Sequence, residues 1–169
     1  MATDHDIESL WERLDTDRGR LSLEESILSF LTEDTTDVDT ELIDEISRRL
    51  GQRAIGTFPT PVGVRSLIAD LISESGPKSI IDPMCGTGAL LHGVVRACRP
   101  ETVHGIEINR SLASIAQRLL GDNAQVVVGN TFSNPGGVLD RYDAVVCESA
   151  FGARLSSPYS LEVEGSTMK

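Results

Sequence analysis

At 169 residues the chain has the length of one domain, enough to bury a real core. Its hydrophobic content of 40% is that of an ordinary globular protein, its aromatics are scarce at 4%, and no run approaches the roughly eighteen apolar residues of a membrane span. The net charge of −11 sits almost wholly in residues 1–50, which hold fifteen acids and five arginines; that segment is a poor face for phosphates.

Residues 1–6 are acidic and lack the basic-then-apolar order of a signal peptide. Cys85, Cys98 and Cys147 are scattered in apolar contexts and make neither a disulfide framework nor a zinc pattern, so a reducing cytoplasm is the expected location. His5, His92 and His104 have no ligand spacing, and no metal site is expected.

The chain opens with an acidic helical segment over residues 1–51. Ile7, Leu10, Trp11 and Leu14 recur at helical spacing, and Asp17-Arg18-Gly19-Arg20 breaks that helix. Ser22-Leu23-Glu24-Glu25 is a capping-box pattern ahead of Ile27, Leu28, Phe30 and Leu31. Leu42, Ile43, Ile46 and Leu50 make a third amphipathic helix that ends at Gly51. A packing or assembly module is the plain reading.

From residue 52 the pattern changes to alternating strands and helices. Thr60-Pro61 reads as an N-cap with proline at the first helical position, and the helix runs to Ile72. Strands are expected over residues 79–82, 102–108, 125–128 and 142–147, with helices over 89–97 and 110–120, the latter capped by Asn109. Such alternation predicts βαβ units and a parallel sheet. The domain runs to about residue 155. An irregular tail, residues 156–169, holds one weak strand signal at Leu161-Glu162-Val163.

Ile80-Ile81-Asp82-Pro83-Met84-Cys85-Gly86-Thr87-Gly88 is the most informative stretch. A buried strand ends in an acid, and a glycine-containing loop leads into a helix. Gly86 and Gly88 let backbone approach a ligand closely. Asp82 stands where a carboxylate can accept from a ligand amine. Glu107 ends the second strand, placed to take both hydroxyls of a ribose. The loop has too few glycines for a dinucleotide fingerprint and lacks the lysine of a phosphate loop, so a nucleoside without a pyrophosphate fits better. Cys85 reads as a small buried hydrophobe and not as a reactive thiolate.

These segments carry a resemblance. Residues 56–152 resemble the adenine-N6 DNA methyltransferases, above all the modification subunits of type I restriction systems. Gly56-Thr57-Phe58-Pro59-Thr60-Pro61 is similar to their G-x-F-x-T-P segment, and residues 82–88 to their D-P-x-C-G-T-G loop. Gly105-Ile106-Glu107-Ile108-Asn109 matches the ribose-binding strand end; Gly129-Asn130-Thr131-Phe132 resembles the third strand's end, where a polar side chain meets the cofactor's adenine. The resemblance implies a class I methyltransferase fold, a Rossmann-like and mainly parallel sheet, that binds S-adenosylmethionine. Its cofactor residues would be Phe58, Thr60, Pro61, Asp82, Pro83, Cys85, Gly86, Gly88, Glu107, Ile108, Asn130 and Thr131. It further implies DNA as substrate, contacted through other regions or subunits, and a specificity subunit or a second copy as partner.

The match breaks at the fourth strand. The family has [N/D]-P-P-[Y/F] there, and this chain has Glu148-Ser149-Ala150-Phe151. In the family the Asn or Asp accepts from the adenine amine, the prolines fix a backbone acceptor, and the aromatic stacks on a flipped base. Glu148 and Phe151 are therefore the catalytic candidates. The extra methylene of Glu148 moves its oxygen by about an ångström, a displacement that can cost roughly a hundredfold in rate. The family's sheet has seven strands and four are placed here, so a damaged or partial enzyme is one expectation. A non-catalytic cofactor-binding or assembly protein, and a methyltransferase for another amine, stand as alternatives.

Overall fold

The computed structural model describes residues 60–132 and 141–148, the strands at 161–163 and 166–168, and five residues nearer the N-terminus: Glu12, Glu25, Ile27, Leu28 and Ser29. The order is helix α1 (Val62–Ser73), strand β1 (Ser79–Asp82), helix α2 (Ala89–Cys98), strand β2 (Thr102–Glu107), helix α3 (Arg110–Leu120), strand β3 (Ala124–Val128) and strand β4 (Ala144–Val145). The four strands form one parallel sheet in the order β3-β2-β1-β4, so β1 is interior and all four carboxyl ends lie along one edge. Ligands of open α/β sheets bind at that carboxyl edge, beside the point where strand order reverses. Here the reversal lies between β1 and β4.

The apolar run of β1 follows from its position. Ile80 and Ile81 are both buried, although neighbours in a strand face opposite ways. Ile80 joins Leu90, Leu91, Val94, Val103 and Val146 on one face, and Ile81 joins Ile106 with Val127 and Tyr142 on the other. A strand covered on both faces reads as continuous apolar sequence. Leu91 is fully buried in the larger cluster; cutting such a leucine to alanine costs about 2–5 kcal/mol.

The ends of β1 and β4 are pinned together. The Asp143 carboxylate accepts from the Lys78 amide at 2.9 Å, the Ser79 amide at 2.9 Å and the Ser79 hydroxyl at 3.0 Å. These bonds hold its carboxyl below the usual carboxylate range. They also explain why β4 enters the sheet beside Ser79. The ladder of β4 is two residues long, where the sequence pattern predicts six over 142–147.

The sequence expectations hold closely elsewhere. Asn109 caps α3, its Oδ1 accepting from Ser111 at 2.9 Å and Leu112 at 3.3 Å. The start of α1 differs. Pro61 is the N-cap, its carbonyl accepting from Val64 and Arg65, and Thr60 caps nothing. Its hydroxyl is used across the fold instead, as described below. The segment 156–169, expected to be irregular, contains a two-stranded antiparallel hairpin of β5 (Leu161–Val163) and β6 (Ser166–Met168). Its strands form their own sheet and do not extend the parallel one. Of residues 1–51, expected to be a helical segment, only the five named above are described; Glu12, Glu25 and the 27–29 stretch are helical, and Ile27 is fully buried. No described helix is long and apolar enough to cross a membrane.

Candidate functional site

The site is built from strand ends. Asp82 closes β1, and its Oδ1 accepts from the Met84 amide at 3.0 Å, which turns the chain sharply out of the sheet. The Gly88 amide then donates to the Cys85 carbonyl at 2.7 Å and closes a second turn. Gly86 and Gly88 have φ of +55° and +81°, in the left-handed region that glycine enters without steric cost. A Cβ on Gly88 would lie 3.1 Å from the Ala116 Cβ, because α2 starts hard against α3; a Cβ on Gly86 would meet nothing within 4 Å. Gly88 is thus a packing glycine, and Gly86 borders open space.

The loop is strapped to the next strand. Cys85 donates its amide to the Ile106 carbonyl at 3.0 Å. Its side chain is buried against Gly105, where a Cβ would come within 2.9 Å of the sulfur. Burial, with Asp82 and Glu107 adding, pushes the thiol well up. Cys85 is thus buried, as expected of a small hydrophobe.

Glu107 is the hub. Its Oε2 accepts from the Gly86 amide at 3.0 Å and its Oε1 from the Asn109 amide at 2.7 Å. A carboxylate offers about four lone-pair sites, so two remain for a pair of hydroxyls. The carbonyl of Glu107 accepts from Gly129 at 3.0 Å, which brings the end of β3 alongside. There the Thr131 hydroxyl donates to the Pro83 carbonyl, and Asn130 Oδ1 accepts from the Phe132 amide at 3.0 Å. Ile108 and Phe132 are exposed by 67% and 50%, apolar side chains at adjoining strand ends. Phe132 belongs to the Gly129–Phe132 segment quoted above but is not among the cofactor residues that the resemblance implies.

On the other side of β1, Glu148 follows β4. Its Oε2 accepts from the hydroxyl of Thr60, a residue 88 positions away and only 7% exposed. Asp82 lies between these groups, 2% exposed. Burial raises its pKa to about 7; the Met84 amide opposes the rise, and Glu107 and Glu148 add to it. Cys147 is likewise pushed up to about 11, by burial and then by Asp82 and Glu148. Asp82, Glu107 and Glu148 thus bring three carboxyl groups within electrostatic reach of one another at one edge of the sheet.

The fold therefore gathers Thr60, Pro61, Asp82, Pro83, Cys85, Gly86, Gly88, Glu107, Ile108, Asn130, Thr131 and Glu148 along one edge of the sheet. Phe58 and Phe151 lie outside the described residues. No group of metal-ligating side chains occurs among the described residues.

Residues 35–163 match the family described as N-6 DNA Methylase. Over 73 residues the chain is 26% identical to the type II methyltransferase M.CvrRI of Paramecium bursaria Chlorella virus XZ-6E, a match covering 43% of this chain and 19% of that protein. Among solved structures, the type I restriction-modification methyltransferase subunit of Streptococcus thermophilus superposes with a TM-score of 0.53 at 21% identity, over 71% of this chain and 30% of the other. A candidate RNA methyltransferase from Pyrococcus horikoshii superposes with a TM-score of 0.50 at 17% identity, over 76% and 61%. The chain thus spans less than two thirds of the length of each of these relatives, and at such identities the structures speak to fold alone. They share the parallel sheet with flanking helices, the class I methyltransferase arrangement. With most of its length matched by the family and the family's loop and strand-end acid joined in space, the chain belongs to the N-6 DNA methylases.

Proposed function

We propose that this chain serves S-adenosylmethionine-dependent methylation of adenine N6 in DNA, in a restriction-modification setting. The observation that carries the reading is the bond from the Gly86 amide to Glu107 Oε2. It places the open glycine loop against a buried acid that retains lone pairs for a ribose. The residues fit the cofactor. Gly86 borders space that a Cβ would enter unopposed, and Asp82 is a buried carboxylate suited to an ammonium. Ile108 and Phe132 offer apolar surface to an adenine ring. When bound, S-adenosylmethionine supplies a methyl group on a positively charged sulfur.

The chain's own residues then have separate tasks. Glu107 holds the ribose, Asp82 the amine, and the loop amides the approach of the backbone. Glu148 stands at the position from which the family's acceptor holds the target amine, and Phe151 is the aromatic of that motif. A glutamate there, without the two prolines, positions an amine less well, and positioning carries much of the barrier reduction in such a transfer. A second copy or a specificity subunit would supply the DNA-reading surface, since the acidic segment 1–50 is unsuited to phosphates.

The test is transfer of a labelled methyl group to unmethylated DNA, with the product digested to nucleosides. The chain as it stands is expected to form N6-methyladenine slowly or not at all. Glu148→Asn, Ser149→Pro and Ala150→Pro together should make it appear or rise strongly. Cofactor binding without methylation by either form, on DNA of mixed sequence, would overturn the catalytic reading and favour a cofactor-binding or assembly role.

A further inference from the structure

The Thr60–Glu148 bond is not accounted for by the roles above. It joins the residue before the N-cap of α1 to the residue beyond β4, on either side of the reversal point in the sheet. The buried hydroxyl of Thr60 is spent on a carboxylate where the family carries an amide or a shorter acid. The bond therefore anchors a carboxylate just beyond β4, close enough to Asp82 and Cys147 for both to feel it.

We infer that Glu148, latched by Thr60, reads the charge of the cofactor: its carboxylate favours the methyl-bearing sulfonium over the neutral thioether left after transfer. The inference rests on the proposed cofactor and assigns Glu148 a task in cofactor choice, apart from holding the target amine. The physical argument is direct. The two forms share their ribose, adenine and amino-acid groups, so the hydrogen bonds of Glu107, Asp82 and the loop to those groups serve both equally. They differ by one positive charge on sulfur. An anchored carboxylate at the ends of β1 and β4 acts on that difference, and interaction between a partly solvated ion pair amounts to about five- to tenfold in affinity. An Asn at the same position would carry no net charge with which to discriminate. The same residue would thereby help expel the spent cofactor.

Calorimetric titration with S-adenosylmethionine, with its demethylated product, and with an analogue bearing an ammonium at the sulfur position reads this without turnover. The unaltered chain should prefer both cationic ligands to the product. Glu148→Gln keeps the size and an acceptor oxygen for Thr60; it should weaken both cationic ligands by about five- to tenfold and the product by less than about twofold. Thr60→Val should narrow the preference as well, and Thr60→Ser should restore it. Equal weakening of all three ligands by Glu148→Gln, or no change in any, would overturn the inference while leaving the cofactor assignment standing. Failure of the folded, unaltered chain to bind any of the three would overturn both.

Discussion

Gly86 and Glu107 are 21 residues apart in sequence and meet at 3.0 Å, the glycine amide donating to the glutamate's Oε2. The same carboxylate takes the Asn109 amide through its other oxygen. One side chain therefore orders the loop after β1 and the turn after β2 before any ligand arrives. For the proposed cofactor site this is preorganisation in a concrete form: the carboxylate is held by backbone amides on both sides.

Replacing Glu107 with alanine should weaken cofactor binding by tenfold or more, since hydrogen bonds to a charged acceptor contribute about 1.5–3 kcal/mol. The loop should loosen at the same time, and amide exchange at Gly86 and Asn109 should speed up. Calorimetry and hydrogen exchange on the same variant check both parts. Unchanged exchange at Gly86 would show that the loop is held by other bonds.

The two loop glycines should separate under substitution. Gly88→Ala forces a side chain into the left-handed region and against Ala116, and is expected to cost about 2–4 kcal/mol from strain and displacement together. Gly86→Ala meets no atom within 4 Å, so only the backbone strain of roughly 1–2 kcal/mol applies to folding. Its methyl group would instead enter the ligand's space and depress cofactor affinity. Urea unfolding alongside ligand titration distinguishes the packing glycine from the binding one.

Asp82 should make both stability and binding depend on pH. Its pKa is raised to about 7 from an ordinary 3.8, so the native state holds a proton that the unfolded chain releases. Stability from this group is fully present below about pH 4 and is lost as pH rises through 7, a change of up to about 4 kcal/mol. Asp82→Asn should flatten that dependence and give a more stable protein at pH 8. A cationic cofactor favours the ionised carboxylate, so its affinity should rise with pH toward 7 and level off above. Asp82→Asn should weaken binding at pH 8 and remove the slope. A Tm that rises between pH 5 and 8 in step with the Asp82 titration would contradict the sign.

Removing residues 1–50 should leave cofactor affinity nearly unchanged. The site residues described above all follow that segment. Leu28, however, lines a cavity of about 440 Å³ with Ala113, Gln117, Val126 and Val128, on α3 and β3. Deletion should therefore uncover apolar surface at the β3 edge and raise self-association, which sedimentation would detect. Loss of cofactor binding in a folded remainder would place residues of that segment in the binding site.

Much of this protein was legible in the chain alone. The run Ile80-Ile81, unbroken by polar residues, determined a strand buried on both faces and hence a parallel sheet. Asp82, Gly86, Gly88 and Glu107 were readable as a turn strapped to the next strand, because a tight turn and a positive φ each demand one residue type at one place. Asn109 was readable as a cap for the same reason. These are local requirements, satisfied within a few residues, and local requirements leave a mark in sequence. Thr60 left a misleading one: it stands where a cap belongs, yet its hydroxyl goes to Glu148, 88 residues on. Neither the raised pKa of Asp82 nor the two-residue ladder of β4 has a local sign. The first depends on which carboxylates the fold brings around a buried group, the second on how Asp143 fastens to Ser79. Spacing along a chain records what a segment needs from its neighbours in sequence; only tertiary packing decides which distant side chain answers a buried hydroxyl or crowds a buried charge.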